Sequence, residues 1–283
     1  MSWVRSPLAA PTGHFQVPNP TSFIPLAART KLEHTAGGVY VGCSGWSYSS
    51  WRPEFYPSGL SSKKFLTYYA TRLNSVEVNY TFRELPSEST VDMWLAATVD
   101  TFRFSFKAPQ RVTHMLRLKN CEQAFLEFVR SIASITAAGR MGLILFQLPP
   151  NMKADAELLS TFLRDACSSG GSGLRMAFEF RHLSWFTEEI YSVLAAYGAA
   201  LCAAEGDELT TPDIQTASFS CYRMRKSNYT AAGIARIRKR LHERAAQGDV
   251  FAYFKHEEEP TGAMRAMAVL RGLMQTKAER EQS

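Results

Sequence analysis

Eight short runs rich in apolar, β-branched and aromatic residues recur along this chain, separated by segments whose apolar residues return at helical spacing. That alternation constrains the fold more than any other feature, because parallel strands joined by crossover helices are its simplest solution. The runs are VYVGC from Val39, SVEVN from Ser75, FRFSFK from Phe102, GLILFQL from Gly142, RMAFEF from Arg175, ALCAA from Ala200, FSCYRM from Phe219 and VFAYFK from Val250. Eight such strands predict an α/β fold, a single TIM-type (β/α)8 barrel over residues 39–276. Barrels of this kind take about 250 residues as one domain.

The intervening segments carry helix signals. Asn120 with Gln123 has the pattern of a capping box ahead of Phe125, Phe128, Val129, Ile132 and Ile135, and Ser87 is placed to cap a helix burying Val91, Trp94 and Leu95. Ile234, Ile237 and Leu241 form a stripe on a helix closed by Gly248, with Arg236, Arg238, Lys239, Arg240 and Arg244 largely off it as a solvated outer face. The stretch from Glu205 to Ser218 contains Pro212 and no helical period, so one degenerate crossover is expected after strand six.

Residues 1–38 carry Pro7, Pro11, Pro18, Pro20 and Pro25 and end in Gly37-Gly38, which reads as a disordered or loosely packed N-terminal tail. A mitochondrial presequence fits the lack of acids before Glu33, but the prolines oppose its long amphipathic helix. Of the net charge of +6, the tail supplies a surplus of two, leaving a mildly basic remainder compatible with an anionic ligand. The five cysteines include no C-x-x-C pair, which argues against a disulfide framework and a thiolate metal site. The sequence has no long apolar span and no signal peptide, so the expected location is cytoplasmic, with no membrane partner.

In a TIM barrel the strand C-termini and the loops after them build the active site. Read off in order, those ends carry Trp46 and Tyr48, then Glu77, Asn79 and Thr81, then Lys107 and His114, then Gln147, then Glu179 and Arg181, then Glu205, then Arg223 and Arg225, and last Lys255 and His256. Residues two apart on a strand share a face, so Glu77 with Asn79, and Glu179 with Arg181, are expected to enter one cavity. Charge in so apolar a setting is costly unless paired or used. The candidate catalytic residues are therefore Glu77, Glu179, Lys107 and His114, and the candidate binding residues are Trp46, Tyr48, Asn79, Thr81, Gln147, Arg181, Arg223, Arg225 and Lys255. Glu179 is expected to serve a ligand more than the fold. The aromatic loop from Trp46 to Tyr56 reads equally as a stacking platform or a hydrophobic plug. No motif indicates a metal or a nucleotide cofactor, although a divalent ion could be assembled from scattered residues.

The motifs GCSGWSYSSW, FYP, VEVNYTF, FKAPQRVTH, FQLPP, EFRHLSW and YFKHEEEPTGAMRAMAVL, in that order from Val39 to about Leu273, resemble the YecE-like family of largely bacterial barrels, domain of unknown function 72. The resemblance implies a TIM barrel without an established reaction. Its rim pattern falls on Gly45, Trp46, Glu77, Asn79, Thr81, Phe82, Lys107, His114, Gln147, Glu179, Arg181, Tyr222 and Arg223. The chain departs from it at Arg225-Lys226, where that family usually has His-Gly, and at Lys255-His256, where it usually ends Phe-x-Asn.

Three functions fit these residues. One is an enzyme, a hydrolase for instance, acting on a phosphorylated or anionic substrate, nucleic-acid phosphodiesters included. The second is a glycoside hydrolase using Glu77 and Glu179. The third is a small-anion binding protein without catalysis. Substrate and oligomeric state are not legible.

Overall fold

The computed structural model describes residues 37–255 and 259–281, with the side chains of the last helix described as far as residue 275. His256 and most of the expected N-terminal tail lie outside the described residues. At its boundary, Gly37 N donates to Ala245 O and Gly38 N to Asp249 Oδ1, both at 2.8 Å.

The eight strands are β1 (Val39–Cys43), β2 (Ser75–Val78), β3 (Arg103–Lys107), β4 (Met141–Gln147), β5 (Met176–Glu179), β6 (Ala200–Glu205), β7 (Ser220–Met224) and β8 (Val250–Phe254). Every ladder is parallel, in the order β1-β8-β7-β6-β5-β4-β3-β2, which makes a nearly closed (β/α)8 barrel. The helices are α1 (Phe65–Ala70), α2 (Glu88–Ala96), α3 (Glu122–Ser131), α4 (Ala133–Ala137), α5 (Ala156–Ala166), α6 (Glu188–Ala196), α7 (Ala231–Ala245) and α8 (Thr261–Glu281). No helix is described between β6 and β7, as the proline-bearing connection predicts. Among the described residues no helix is long and apolar enough to cross a membrane.

Strand alternation divides the core into two layers. Leu143, Leu145, Ala177, Cys202, Cys221, Phe251 and Tyr253 fill the interior, and Tyr253 Oη meets Ser75 Oγ at 2.8 Å and Ser105 Oγ at 2.6 Å across it. The opposite faces, such as Val76, Phe104, Phe106, Phe146 and Phe178, pack with the helices. Because alternation continues along each strand, Ser44, Glu77, Lys107, Gln147, Glu179 and Arg223 follow the interior residues toward the mouth.

β1 and β2 meet without a full ladder. One bridge joins Ser44 to Glu77, and side chains stand in for the rest: Tyr69 Oη accepts from Cys43 N at 2.7 Å and donates to Ser75 O at 3.0 Å, while Asn74 bonds Val41 N and Val39 O at 2.8 Å each. Gly42 permits this approach, since a Cβ there would stand 1.9 Å from Ser75 O.

Ser87 caps α2 as expected, accepting from Thr90 N at 3.2 Å. The Asn120–Gln123 capping box is not formed. Asn120 has a left-handed backbone (φ 46°), Cys121 precedes α3 without a side-chain cap, and Gln123 Nε2 donates instead to Glu127 at 2.9 Å. Ile237 and Leu241 are buried on α7, which ends at Ala245, three residues before Gly248. In the loop after β1, Trp51, Phe55 and Tyr56 form a plug against α1, with Tyr56 stacked on Phe65 at 4.0 Å between ring centroids.

Candidate active site

At the mouth a single guanidinium serves two carboxylates. Arg223 on β7 donates through Nε and Nη2 to the oxygens of Glu77 on β2, at 2.9 and 2.7 Å, and through Nη1 to Oε2 of Glu179 on β5. All three side chains are buried. Ser44 Oγ donates to Glu77 Oε1 at 2.6 Å, and Arg225 Nη2 reaches Ser44 Oγ at 2.6 Å and Glu77 Oε1 at 3.1 Å. Gln147 Nε2 donates to Glu179 Oε1 at 2.8 Å. Arg225, at a position where the resemblance leads one to expect His, thus joins the network.

Burial alone would raise the pKa of both carboxyl groups, but the guanidinium groups of Arg223 and Arg225 outweigh it. Glu77 is held down at about 2, and Glu179 also lies below the ordinary carboxylate range. Two carboxylates and two arginines therefore form a closed, neutral set.

Lys107 stands outside that set. It is half-buried, its Nζ lies 4.0 Å above the Phe82 ring, and among the described residues no carboxylate forms an ion pair with it. Burial and then repulsion from Arg223 lower its pKa to about 8. Phe82 also takes the edge of His114, at 5.0 Å between centroids and 86° between planes. His114 sits on a π-helical turn, Arg111–Met115, whose wider winding is a recurrent feature of functional sites. Burial, Lys107 and Arg181 in turn hold its pKa below the usual histidine value, so the ring is neutral at pH 7. Thr113 Oγ1 donates to Pro109 O at 3.2 Å and lies 2.9 Å from His114 Nδ1.

The remaining sequence candidates divide. Arg181 lies beyond the end of β5, exposed, with its charge close enough to act on His114 but outside the buried network that Glu179 enters. Asn79 is half-buried, with a buried Oδ1 that has no hydrogen-bond partner among the described residues. Thr81 is internal bracing, its hydroxyl bonded to Lys107 O at 2.7 Å and Val78 O at 3.1 Å. Trp46 packs edge-on to Trp94 at 5.7 Å. Tyr48 Oη donates to Ser44 O at 2.9 Å, and burial raises its pKa to about 12. Lys255 is exposed just past β8. Sequence reasoning assigned no role to Ser44, although strand alternation from Gly42 puts it on the interior face. It also gave Phe82 no chemistry, since an aromatic after a strand carries no signal of what stands over it.

Comparison with known proteins gives a consistent family. The profile described as "Protein of unknown function DUF72" matches residues 40–283. The UPF0759 protein YecE of Escherichia coli (strain K12) is 34% identical over 111 residues, 39% of this chain and 38% of that protein's length. The UPF0759 protein YunF of Bacillus subtilis (strain 168) is 28% identical over 157 residues, 54% of each chain. The aligned part thus spans little more than a third of YecE and about half of YunF. A crystal structure of a DUF72 family protein from Thermotoga maritima superposes with a TM-score of 0.75 at 25% identity, covering 84% of this chain and 99% of that one. A second, from Enterococcus faecalis, gives 0.68 at 16% identity over 85% and 99%, a likeness of fold alone. The profile match from Tyr40 onward takes in every strand residue that builds the mouth, and on that ground this chain belongs to the DUF72 family.

Proposed function

We propose that the protein is an enzyme acting on a small phosphorylated or otherwise anionic substrate at the Lys107 side of the barrel mouth. Lys107 and Arg181 hold the anion, and His114 is the general base. The observation that carries this reading is the Lys107 ammonium, half-buried and without an anionic partner among the described residues, beside carboxylates already taken by arginine. A desolvated cation with an open coordination side binds an anion more strongly than one in water. A neutral histidine within the same aromatic contact can accept the proton of an attacking water.

Glu77 and Glu179 frame the site rather than reacting in it. Glycoside hydrolysis needs one carboxyl to hold a proton near neutral pH, and it needs space between the pair for the sugar. Both carboxyls here are held ionised, and the Arg223 guanidinium occupies the space between them.

The test uses para-nitrophenyl phosphate and bis(para-nitrophenyl) phosphate for turnover and inorganic phosphate for binding. Lys107→Met should weaken binding about tenfold or more, and wild-type affinity should fall as pH rises through about 8. The same variant should melt no lower than wild type, because a cation whose pKa the fold depresses opposes folding while it is charged. His114→Asn should lower turnover by about two orders of magnitude with binding retained. Binding without turnover of either ester would favour the non-catalytic reading, and binding indifferent to Lys107→Met would overturn the proposal.

A further inference from the structure

A second cavity, of about 480 Å³, opens beyond the ends of β6 and β7 against the first turns of α7. Glu205, Lys226, Tyr229, Gly233, Arg236 and Arg240 line it. It is separate from the mouth network, since Glu205 alternates away from the interior that Cys202 faces. Three cations here meet one carboxylate. Arg240 is committed to Glu205 at 2.6 Å and lies 4.8 Å over the Tyr222 ring. Lys226 and Arg236 form no ion pair among the described residues. Two positive charges with no ion pair among the described residues thus share one concavity.

Gly233 is the independent observation. It is buried in the first turn of α7 with an ordinary helical backbone, so no left-handed conformation requires a glycine. Space does not require one either. A Cβ would stand 3.5 Å from Thr230 Oγ1, 3.8 Å from Tyr229 Cδ1 and 4.0 Å from Arg236 Nη2, all ordinary contacts. Glycine weakens a helix relative to alanine, so the fold alone would favour a side chain. Gly233 itself lines the cavity beside Tyr229 and Arg236, so a longer side chain there would compete with a ligand for that space.

We infer that this cavity binds the phosphate of a small phosphate monoester. The dianion is held between the Lys226 ammonium and the Arg236 guanidinium, with the organic part against the Tyr229 ring. A monoester matches the charge, because its two negative charges equal the two cations that have no ion pair among the described residues, whereas each diester linkage of a nucleic acid brings one. The volume suits a molecule of sugar-phosphate size. This site stands apart from the Lys107 reading and does not depend on it.

The full-length chain carrying Lys107→Met, in which any anion binding at the mouth is expected to be at least about tenfold weaker, is titrated calorimetrically with ribose 5-phosphate, inorganic phosphate, ribose and a ten-nucleotide single-stranded DNA. Ribose 5-phosphate and inorganic phosphate should bind at one saturable site and ribose should not. Lys226→Ala and Arg236→Ala should each weaken that binding about tenfold. Gly233→Leu should abolish it, while Gly233→Ala, which fills far less of the floor, should keep the fold and retain much of the binding. Lys226 is half-buried and Arg236 exposed, so their variants test the site even if Gly233→Leu fails to fold. Absence of saturable phosphate binding, or binding indifferent to both cation substitutions, would overturn the inference. So would an oligonucleotide that binds through these residues while ribose 5-phosphate does not.

Discussion

A carboxylate without water around it survives in a protein only where other charges replace the water, and Glu77 is such a case. It has no exposed surface, and its two oxygens take four hydrogen bonds from Arg223, Arg225 and Ser44. Its pKa in the fold is about 2, below the unfolded value, so its stabilisation is fully present above about pH 5 and is lost as pH falls toward 2. The linkage amounts to about 3 kcal/mol. Glu77→Gln should cost about 3–5 kcal/mol at pH 7, because it strands buried guanidinium charge. Urea midpoints of variant and wild type should converge as pH falls from 5 to 2; a gap independent of pH would show that the charge of Glu77 is not what Arg223 needs. Glu179 has the same partner, so Glu179→Gln should also destabilise. Sequence identified both carboxylates as costly to bury. Their partner was not legible, because several cations end neighbouring strands and only the three-dimensional register selects Arg223.

Among the elements, β1 depends on a side chain from another part of the chain. Tyr69 follows from a helix, yet its hydroxyl does the work of two backbone groups at the β1–β2 seam. Tyr69→Phe leaves the Cys43 amide and the Ser75 carbonyl each short of a bond in a buried setting, at about 1–3 kcal/mol per group. The expected result is a lower denaturation midpoint together with faster hydrogen exchange at the Cys43 amide; unchanged exchange there would mean that the seam is held by Asn74 and the single bridge. All eight strands were legible to within about a residue, because β-branched and aromatic runs differ plainly from helical periods. Pro212 likewise disclosed the missing crossover helix. The capping box at Asn120 failed for a tertiary reason: Arg117, Leu118 and Asn120 all adopt positive φ to bring the chain from the His114 turn into α3. Asn tolerates that backbone as readily as it caps a helix, so the residue type alone does not decide.

At the scale of the molecule, the mouth was legible as a set of positions and not as a division of labour. Alternation brought Glu77, Lys107, Gln147, Glu179 and Arg223 to one end, but their separation into a neutral network and a lysine with no ion pair among the described residues needed coordinates. The basic run on α7 was read as a solvated face. Arg236, Arg238 and Lys239 are exposed as that reading expects, while Arg244 pairs with Asp213 of the helix-free connection at 3.0 Å and Arg240 with Glu205 at the end of β6. The seam between β1 and β2 also bears on how the chain is made. β1 is the first strand to leave the ribosome among those described, and its full ladder is with β8, the last. A nascent chain therefore holds β1 without its main hydrogen-bonding neighbour until Val250–Phe254 has been translated. The amide of Ser44, on the end of β1, likewise finds its acceptor, Phe254 O at 3.1 Å, only then. Products ending before Val250 should lack a cooperative melt, and a sharp transition in such a fragment would show that β1 can lodge against β2 alone. If they behave as expected, translation cannot release a half-built barrel with a completed mouth: the last strand proofreads the first.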